Sequence, residues 1–236
     1  MENKFSRTEL LVGSEVMERY RQARVMVFGV GGVGSWCAEA LVRSGIGHLT
    51  IVDADVVDVT NINRQTLATT SVVGRPKVEV MRARLLDINP DADIVACHRM
   101  FTPENAADFD LDGHDYVIDA IDSLRCKLEL ILLATQKSRS CKLFSAMGAA
   151  LKTDPGQIRV SEFWEVDGCP LAAALRRRMR RQVRFPERKF RCVWSPEVVR
   201  SGKGQEANGS MVHITGIMGF TLAGLVLKEL ATMPGR

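Results

Sequence analysis

Between residues 24 and 147, strand-like and helix-like patterns alternate, and this alternation restricts the folds open to the chain. Apolar and β-branched residues form five runs, at 24–29, 48–53, 93–97, 115–120 and 142–147. Helical spacing of apolar residues occupies 33–45, 75–88 and 123–139. Strands that alternate with helices are joined by right-handed crossovers and pair in parallel. The pattern therefore predicts an α/β fold: a doubly wound, Rossmann-like, mainly parallel sheet with helices on both faces.

The rest of the chain is predicted to extend this core at both ends. Residues 1–22 read as a helical arm, and residues 23–164 as the core, which closes with a strand pattern at 157–163. Residues 165–236 form a basic crossover segment of the same domain. They begin with a long polar excursion, which ends in the Gly-rich stretch SGKGQEANGS, and finish with an apolar helix.

Composition indicates an ordinary globular protein. The chain has 236 residues, of which 46% are hydrophobic and only 8 are proline. The amino terminus shows no signal-peptide pattern, and the six cysteines contain no Cys-x-x-Cys pair that would indicate zinc ligands or a disulfide framework. We therefore expect a cytoplasmic protein. The apolar run at 211–227 leaves a membrane-anchored binding module as an alternative, but it is slightly short for a membrane span, and a buried helix is favoured.

A glycine-rich loop follows the first strand and opens the first core helix. The stretch GVGGVGS contains Gly29, Gly31 and Gly34 in G-x-G-x-x-G spacing, with Gly32 between them. In this position glycines let backbone amides at a helix N-terminus approach a phosphate. Asp53 ends the second strand, where an acid binds a ribose hydroxyl. These features alone also fit a dehydrogenase that binds a nicotinamide dinucleotide.

Polar residues beyond the second strand favour a triphosphate over a dinucleotide. A pyrophosphate is bound mainly by the helix N-terminus, whereas a triphosphate attacked at its α-phosphorus needs cations and amide donors around its charged tail. Four residues of this kind follow Asp53, and a dehydrogenase has no evident use for them: Asn61, Arg64, Gln65 and Lys77.

Two acids follow the fourth strand, in VIDAIDS. The carboxyl edge of a doubly wound sheet is where ligands bind, and one or two carboxylates suffice to hold Mg²⁺ against phosphate oxygens. Asp122 is the predicted Mg²⁺ ligand, with a helix N-cap as its competing role. Asp119 still belongs to the apolar strand and is expected to brace it.

Positive charge is concentrated in residues 175–191, LRRRMRRQVRFPERKFR, where nine Arg or Lys stand against one acid. Such a block is either a solvated face or a surface for a polyanion, and the second is favoured. Cys192 follows this block directly. Its cationic neighbours make it the best candidate for a nucleophilic thiol, although most cysteines are buried and inert.

Together these motifs resemble the adenylating superfamily that includes ubiquitin-activating enzymes and the activators of the molybdopterin and thiamine pathways. The resemblance rests on GVGGVGS, the D-x-D-x-x-D-x-x-N-x-N-R-Q run, the lysine after a Gly-x-Pro turn and D-x-x-D-S. It implies a homodimer in which an amino-terminal arginine, Arg7 in FSRTELLVG, reaches the partner's nucleotide. It also implies that ATP and Mg²⁺ are bound by the matching residues Asp53, Asn61, Arg64, Gln65, Lys77 and Asp122.

Segments spread over nearly the whole chain resemble the branch of this superfamily that dehydrates threonylcarbamoyladenosine in tRNA. The resemblance rests on VIDAIDSLRCK, CPLAAALRRRMRR, RCVWSPE and the terminal MVHITGIMGFTLAGLVLKEL. It implies that ATP activates the threonine carboxylate of the modified adenosine, that a sulfur-relay protein is a candidate partner, and that the basic block contacts tRNA through Arg176, Arg177, Arg180 and Arg181. Adenylation of the C-terminal glycine of a ubiquitin-like sulfur carrier remains the alternative, although the paired Cys-x-x-Cys zinc ligands of many carrier-activating relatives do not occur here.

Overall fold

A seven-stranded sheet forms the centre of the molecule. The computed structural model describes residues 4–199 and 208–233, so most of the Gly-rich stretch at 201–210 lies outside the described residues. The strands follow the spatial order β3-β2-β1-β4-β5-β7-β6. Their bounds are β1 Arg24–Phe28, β2 His48–Val52, β3 Asp93–Cys97, β4 Tyr116–Asp119, β5 Lys142–Ala146, β6 Arg159–Glu162 and β7 Arg191–Trp194.

Every strand pair is parallel except β6 with β7. The central strand β1, RVMVF, is buried at four of its five positions because helices cover both faces of a parallel sheet, whereas the edge strand β3 is partly exposed. The register aligns Phe28 of β1 with Val52 of β2 on one side and with Asp119 of β4 on the other. The carboxyl ends of these strands therefore meet at one edge of the sheet, as the predicted fold requires.

Seven α-helices belong to the described residues. Their bounds are α1 Ser6–Val12, α2 Ser14–Gln22, α3 Gly34–Arg43, α4 Lys77–Ile88, α5 Leu124–Ala134, α6 Pro170–Gln182 and α7 Val212–Thr232. The amino-terminal arm is thus two helices, separated at Gly13, whose φ of +85° ends the first. The helix predicted over 123–139 ends earlier, at Ala134. The next residue, Thr135, turns its hydroxyl back to donate to the Ile131 carbonyl.

The predicted polar excursion is more ordered than its composition suggests. Its first part contains α6, which buries Ala172, Leu175 and Met179 on one face. Its second part contains β7, which lies inside the sheet between β5 and β6 and has Cys192, Val193 and Trp194 buried. The arginines concealed α6 in the sequence, because its long cationic side chains project from one side of a helix whose other side is apolar.

The C-terminal helix α7 closes the core. It packs against α3. The approach is close: a β-carbon at Gly219 would lie 2.9 Å from the backbone nitrogen of Cys37, so a glycine is required at this crossing. Within the described part of the chain, α7 is the single helix long and apolar enough to cross a membrane, but 56% of its most apolar window is buried inside the molecule. The preferred interpretation of this segment as a core helix agrees with that packing.

Candidate active site

A pocket of about 700 Å³ opens at the carboxyl ends of β1, β2, β4 and β5. This is the edge of a doubly wound sheet where ligands bind. Most of the predicted site residues contribute to its lining: Gly29, Gly31, Gly32, Asp53, Asn61, Arg64, Gln65, Lys77 and Asp122.

The glycine loop adopts the geometry expected of a phosphate-binding turn. Gly29 has a φ of +85°, and a β-carbon there would lie 2.8 Å from the Ala120 carbonyl oxygen. A β-carbon at Gly34, the first residue of α3, would collide with the carbonyl group of Gly29. Gly31, by contrast, faces open space, with the Gln65 amide the nearest group to a β-carbon built there, at 3.8 Å. The loop therefore leaves room for a ligand beside the N-terminus of α3.

Asp53 links this loop to the end of β2. Its Oδ2 accepts a hydrogen bond from the Val30 backbone N–H at 2.8 Å, and its Oδ1 accepts one from the Asp55 N–H at 2.8 Å. Burial raises the pKa of the carboxyl, while these two N–H groups and the Lys77 charge oppose that rise. A carboxylate has about four acceptor positions, so Asp53 keeps capacity for a ribose hydroxyl.

Lys77 reaches the pocket from the first residue of α4. Its side chain is 7% exposed, and its Nζ lies 2.7 Å from Oδ2 of Asp55. Asp55 lies in the DADVVD segment but is not among the predicted site residues. The pairing holds the lysine at the pocket wall, where a bound phosphate would compete with Asp55 for the ammonium.

The turn at 58–65 supplies three further predicted residues, which differ in their hydrogen-bond partners. Asn61 serves the turn itself, because its Oδ1 accepts the Asp58 N–H at 3.1 Å. Arg64 donates to the Thr60 carbonyl oxygen at 2.7 Å and so lies folded along its own segment. Gln65 is buried, and its Oε1 has no hydrogen-bond partner among the described residues. An orphaned polar atom on a pocket wall is expected to bind a ligand or water.

The two acids after β4 have different environments. Asp119 is fully buried: its Oδ2 lies 2.8 Å from Nζ of Lys127 and accepts the Ser145 hydroxyl at 2.6 Å. Its role is to brace the end of the strand, as expected. Asp122 is exposed and lines the pocket, and the N-cap residue of α5 is Ser123. The competing interpretation of Asp122 as the helix cap is therefore wrong.

Thr215 and Lys152 are two of the pocket residues that lie outside the sequence prediction. Thr215, near the start of α7, donates to the Arg64 carbonyl oxygen at 3.2 Å. A β-carbon built at Gly32 would lie only 3.0 Å from the methyl carbon of Thr215, so the two residues are packed closely. Lys152 follows β5 and is buried at the pocket wall. No motif in the sequence indicates either residue, since both reach the site through contacts between distant segments.

Arg7 stands apart from the pocket. It lies on α1, is exposed, and does not contribute to the pocket lining of its own chain. Nearby on the same helix, Leu10 and Leu11 are 81% and 85% exposed. A contribution of Arg7 to a nucleotide site would thus have to come from a second copy of the chain.

The basic block divides into structural and free cations. Arg176 donates to the Val166 carbonyl oxygen at 2.7 Å, Arg184 pairs with Glu129 at 2.9 Å, and Arg188 donates to the Ala134 carbonyl oxygen at 2.7 Å. Of the four arginines predicted to contact tRNA, the remaining three are exposed and form no ion pair with any described residue: Arg177, Arg180 and Arg181. They lie along α6, whose first residues, Pro170 and Leu171, line the pocket.

Cys192 lies in β7 with no exposed surface. Burial raises the pKa of its thiol well above the ordinary value. The hypothesis that cationic neighbours activate this thiol is therefore wrong, because the strand directs it into the core.

With this geometry established, comparison with known proteins identifies the family. The model of the ThiF family matches residues 5–234. The chain belongs to the ThiF family. Over 182 residues it is 43% identical to the tRNA threonylcarbamoyladenosine dehydratase of Bacillus subtilis, covering 77% of this chain and 71% of that protein.

Solved structures agree with the family assignment. Crystal structures of the Escherichia coli tRNA N6-threonylcarbamoyladenosine dehydratase cover 96% of this chain and 93% of theirs. The complex with AMP has a TM-score of 0.88 at 37% identity, and the complex with ATP 0.87 at 36%. The molybdopterin-synthase adenylyltransferase of E. coli is 32% identical over 220 residues, 91% of this chain and 75% of that protein. The predicted Rossmann-like fold and the resemblance to the adenylating superfamily are confirmed, and the dehydrogenase interpretation finds no support.

Proposed function

We propose that this chain dehydrates threonylcarbamoyladenosine next to the anticodon in tRNA, using ATP to activate the threonine carboxylate. One observation carries the proposal: a glycine loop, cationic side chains and a free carboxylate line a single pocket at the sheet edge, in a chain closely similar to dehydratases of that name. The E. coli structures with ATP and with AMP support ATP as the nucleotide of this pocket.

The reaction follows from the chemistry of the substrate. A carboxylate is a poor electrophile, so ATP converts it to a mixed anhydride, most simply an acyl-adenylate with release of pyrophosphate. Arg64 and Lys77, with Arg7 of a second subunit, would stabilise the charge that develops on the phosphate. The carbamoyl nitrogen or oxygen of the same substituent then attacks the activated carbonyl and expels AMP. This closure is intramolecular and needs little further catalysis. A route through an acyl-phosphate, ending in ADP, is the variant of the same scheme.

The described residues fit a magnesium ion held jointly with the nucleotide. They contain no group of three metal-ligating side chains, so a metal cage built by protein alone is not available in that part of the chain. Mg²⁺ needs only one or two carboxylates besides substrate phosphates. Asp122 offers one, free of a helix-cap role. The ion would neutralise phosphate charge beside the α-phosphorus.

The proposed tRNA surface extends from the pocket along α6. Arg177, Arg180 and Arg181 are exposed on a helix that begins at the pocket wall, so they would follow the phosphate backbone while the modified base enters the pocket. Arg176 would contribute chiefly by fixing the position of the helix, since its guanidinium already binds main-chain oxygens.

The assembly is proposed to be a cytoplasmic homodimer. The exposed Leu10 and Leu11 beside Arg7 support burial of α1 in a subunit interface that would deliver Arg7 to the neighbouring site. A sulfur-relay protein is retained as a candidate partner on the resemblance alone.

The test is to incubate the purified protein with ATP, Mg²⁺ and threonylcarbamoylated tRNA, to digest the RNA, and to measure the modified nucleoside by mass spectrometry. Loss of one water from the nucleoside, dependent on ATP, is expected. An unchanged nucleoside mass contradicts the proposal.

The alternative is adenylation of the C-terminal glycine of a ubiquitin-like sulfur carrier. The 32% identity to the molybdopterin-synthase adenylyltransferase over 91% of this chain favours it. The free arginines of α6 count against it, and the burial of Cys192 removes the best candidate for a later thioester with the carrier. ATP–pyrophosphate exchange that depends on a carrier protein rather than on tRNA would support this alternative.

A further inference from the structure

The pocket wall beyond Asp122 contains a buried cation with no assigned role. Lys152 lies in the segment that follows β5, lines the pocket, and is only 3% exposed. A lysine is rarely this buried without a partner of opposite charge.

Main-chain oxygens, and no carboxylate, hold this lysine. Its Nζ donates to the Ser195 carbonyl oxygen at 3.0 Å and also to that of Glu197. The Glu197 carboxylate turns away and accepts hydrogen bonds from Thr153 and Asp154 instead. Lys152 therefore forms no ion pair with a carboxylate of the described residues. An ammonium has three N–H donors, so one remains after the two carbonyl groups are satisfied.

An unpaired ammonium in this environment favours an anionic ligand. Burial disfavours the charged form and lowers the pKa of Lys152, with only weaker opposition from Cys169 and Glu197. A buried charge that lacks a counter-ion is unfavourable unless a ligand supplies one. The site therefore fits an anion that enters the pocket.

Strand order indicates which anion this is. Along the sheet edge, Asp53 follows β2, the glycine loop follows β1, Asp122 follows β4, and Lys152 follows β5. Neighbouring strands are about 4.8 Å apart, so β5 lies roughly 10 Å from the phosphate-binding loop. The phosphate-binding cations Arg64 and Lys77 come from the segment after β2, on the opposite side of β1. Lys152 thus lies on the side of Asp122 away from the ribose and the triphosphate, where the group to be activated must enter.

We infer that Lys152, positioned by the main-chain oxygens of the turn at 195–197, forms a carboxylate-binding subsite, which holds the threonine carboxylate of the modified adenosine beside the α-phosphorus of ATP. This inference rests on the proposed function. A carboxylate and a triphosphate repel each other, and the ammonium offsets that repulsion while leaving a carboxylate oxygen free to attack.

The test measures RNA binding rather than turnover. The dissociation constants of an anticodon stem-loop with and without the threonylcarbamoyl group are compared in the presence of α,β-methylene-ATP, which blocks attack at the α-phosphorus. The Lys152→Gln variant keeps two N–H donors for the carbonyl groups but loses the charge. Lys137→Gln, at an exposed lysine outside the pocket, is the matched control.

The wild type and the control are expected to prefer the modified stem-loop. In Lys152→Gln, the ratio of the dissociation constants of the unmodified and the modified stem-loop should be about 10- to 100-fold smaller than in the wild type. This is the range typical of a charge-assisted hydrogen bond. Its affinity for the unmodified stem-loop and for the ATP analogue should stay the same. A folded variant that keeps the full preference overturns the inference, as does one that loses affinity for the ATP analogue alone, since the lysine would then bind phosphate.

A second measurement observes the Lys152 ammonium directly, by NMR of the wild-type protein. In protein labelled with ¹⁵N-lysine, the ammonium of Lys152 is one of three from buried lysines in the described residues, and Lys152→Arg assigns its signal. The signal should shift when the modified stem-loop is added but not when the unmodified one is. Equal behaviour with both RNAs overturns the inference. If the wild type neither prefers the modified RNA nor dehydrates it, the proposed function itself fails, which is distinct from the loss of this subsite alone.

Discussion

Replacing the exposed arginines of α6 by glutamine should reduce the salt dependence of tRNA binding. Arg177, Arg180 and Arg181 form no ion pair with a described residue, so all three are free to contact phosphates. Each lost contact lowers the slope of log K against log salt by about 0.9 for a duplex and about 0.7 for a single strand. Three contacts change the slope by about 2.1 to 2.7. Raising the salt from 50 to 200 mM weakens binding by some factor in each protein. That factor should be about 20 to 40 times smaller for the triple variant than for the wild type.

The assay is tRNA binding at several salt concentrations, with ATP affinity measured in parallel. Arg184→Gln is the matched control, because Arg184 is paired with Glu129 and its loss should barely change the slope. Arg176 is tested separately, since its bonds to main-chain oxygens make a stability loss an expected part of its effect. An unchanged slope in the triple variant would refute the RNA-binding role of α6 and leave a solvated helix face. Loss of ATP binding with tRNA binding kept would mean that α6 covers the nucleotide instead.

Three further predictions concern the pocket and the thiols. Lys77→Ala and Asp122→Asn should each lower the rate of dehydration at least about 100-fold while circular dichroism stays unchanged, because each removes a group expected to act on phosphate or metal; near-normal rates in either variant would refute the ATP-site assignment. Mixing Arg7→Ala with Asp122→Asn chains should restore activity, because a heterodimer has one site with both residues intact; no recovery after verified subunit exchange would argue against a role across the interface. Alkylation of the native protein should reach the partly exposed Cys97 first and leave the buried Cys192 unmodified until unfolding, as followed by peptide mass spectrometry; early labelling of Cys192 would contradict its burial.

Local patterns were sufficient to predict the core of the fold. Parallel strands are buried on both faces, so they occur in the sequence as short apolar runs. The glycine loop that follows one of these runs identifies the strand whose end binds phosphate. Asp53, Gln65 and Lys77 all line the predicted pocket, because they lie on the segment that leads from the carboxyl end of β2 to the start of α4 at the same edge of the sheet.

The parts that the sequence did not reveal depend on contacts between distant segments. Strand β7 enters the sheet between β5 and the edge strand β6, and it comes from a segment whose many arginines are typical of a surface loop. Lys152 was not predicted because its partners are main-chain oxygens of Ser195 and Glu197, which leave no signature in side-chain spacing. Whether Asp122 caps α5 or is free for a metal depends on the residue at which the helix begins. The N-cap position is Ser123, one residue later, so Asp122 is free. Tertiary contacts decide such cases, and local propensity does not.

The most direct test of carboxylate activation is an oxygen-transfer experiment. tRNA is prepared with ¹⁸O in both oxygens of the threonine carboxylate, reacted with ATP in a single turnover, and the nucleotide products are analysed by mass spectrometry. An acyl-adenylate transfers one ¹⁸O to AMP, because the bridging oxygen leaves with the phosphate when the carbonyl is attacked; the acyl-phosphate variant would place it in inorganic phosphate. We predict one ¹⁸O in AMP. Dehydrated nucleoside formed with no ¹⁸O in AMP or in phosphate would contradict activation of the carboxylate by ATP.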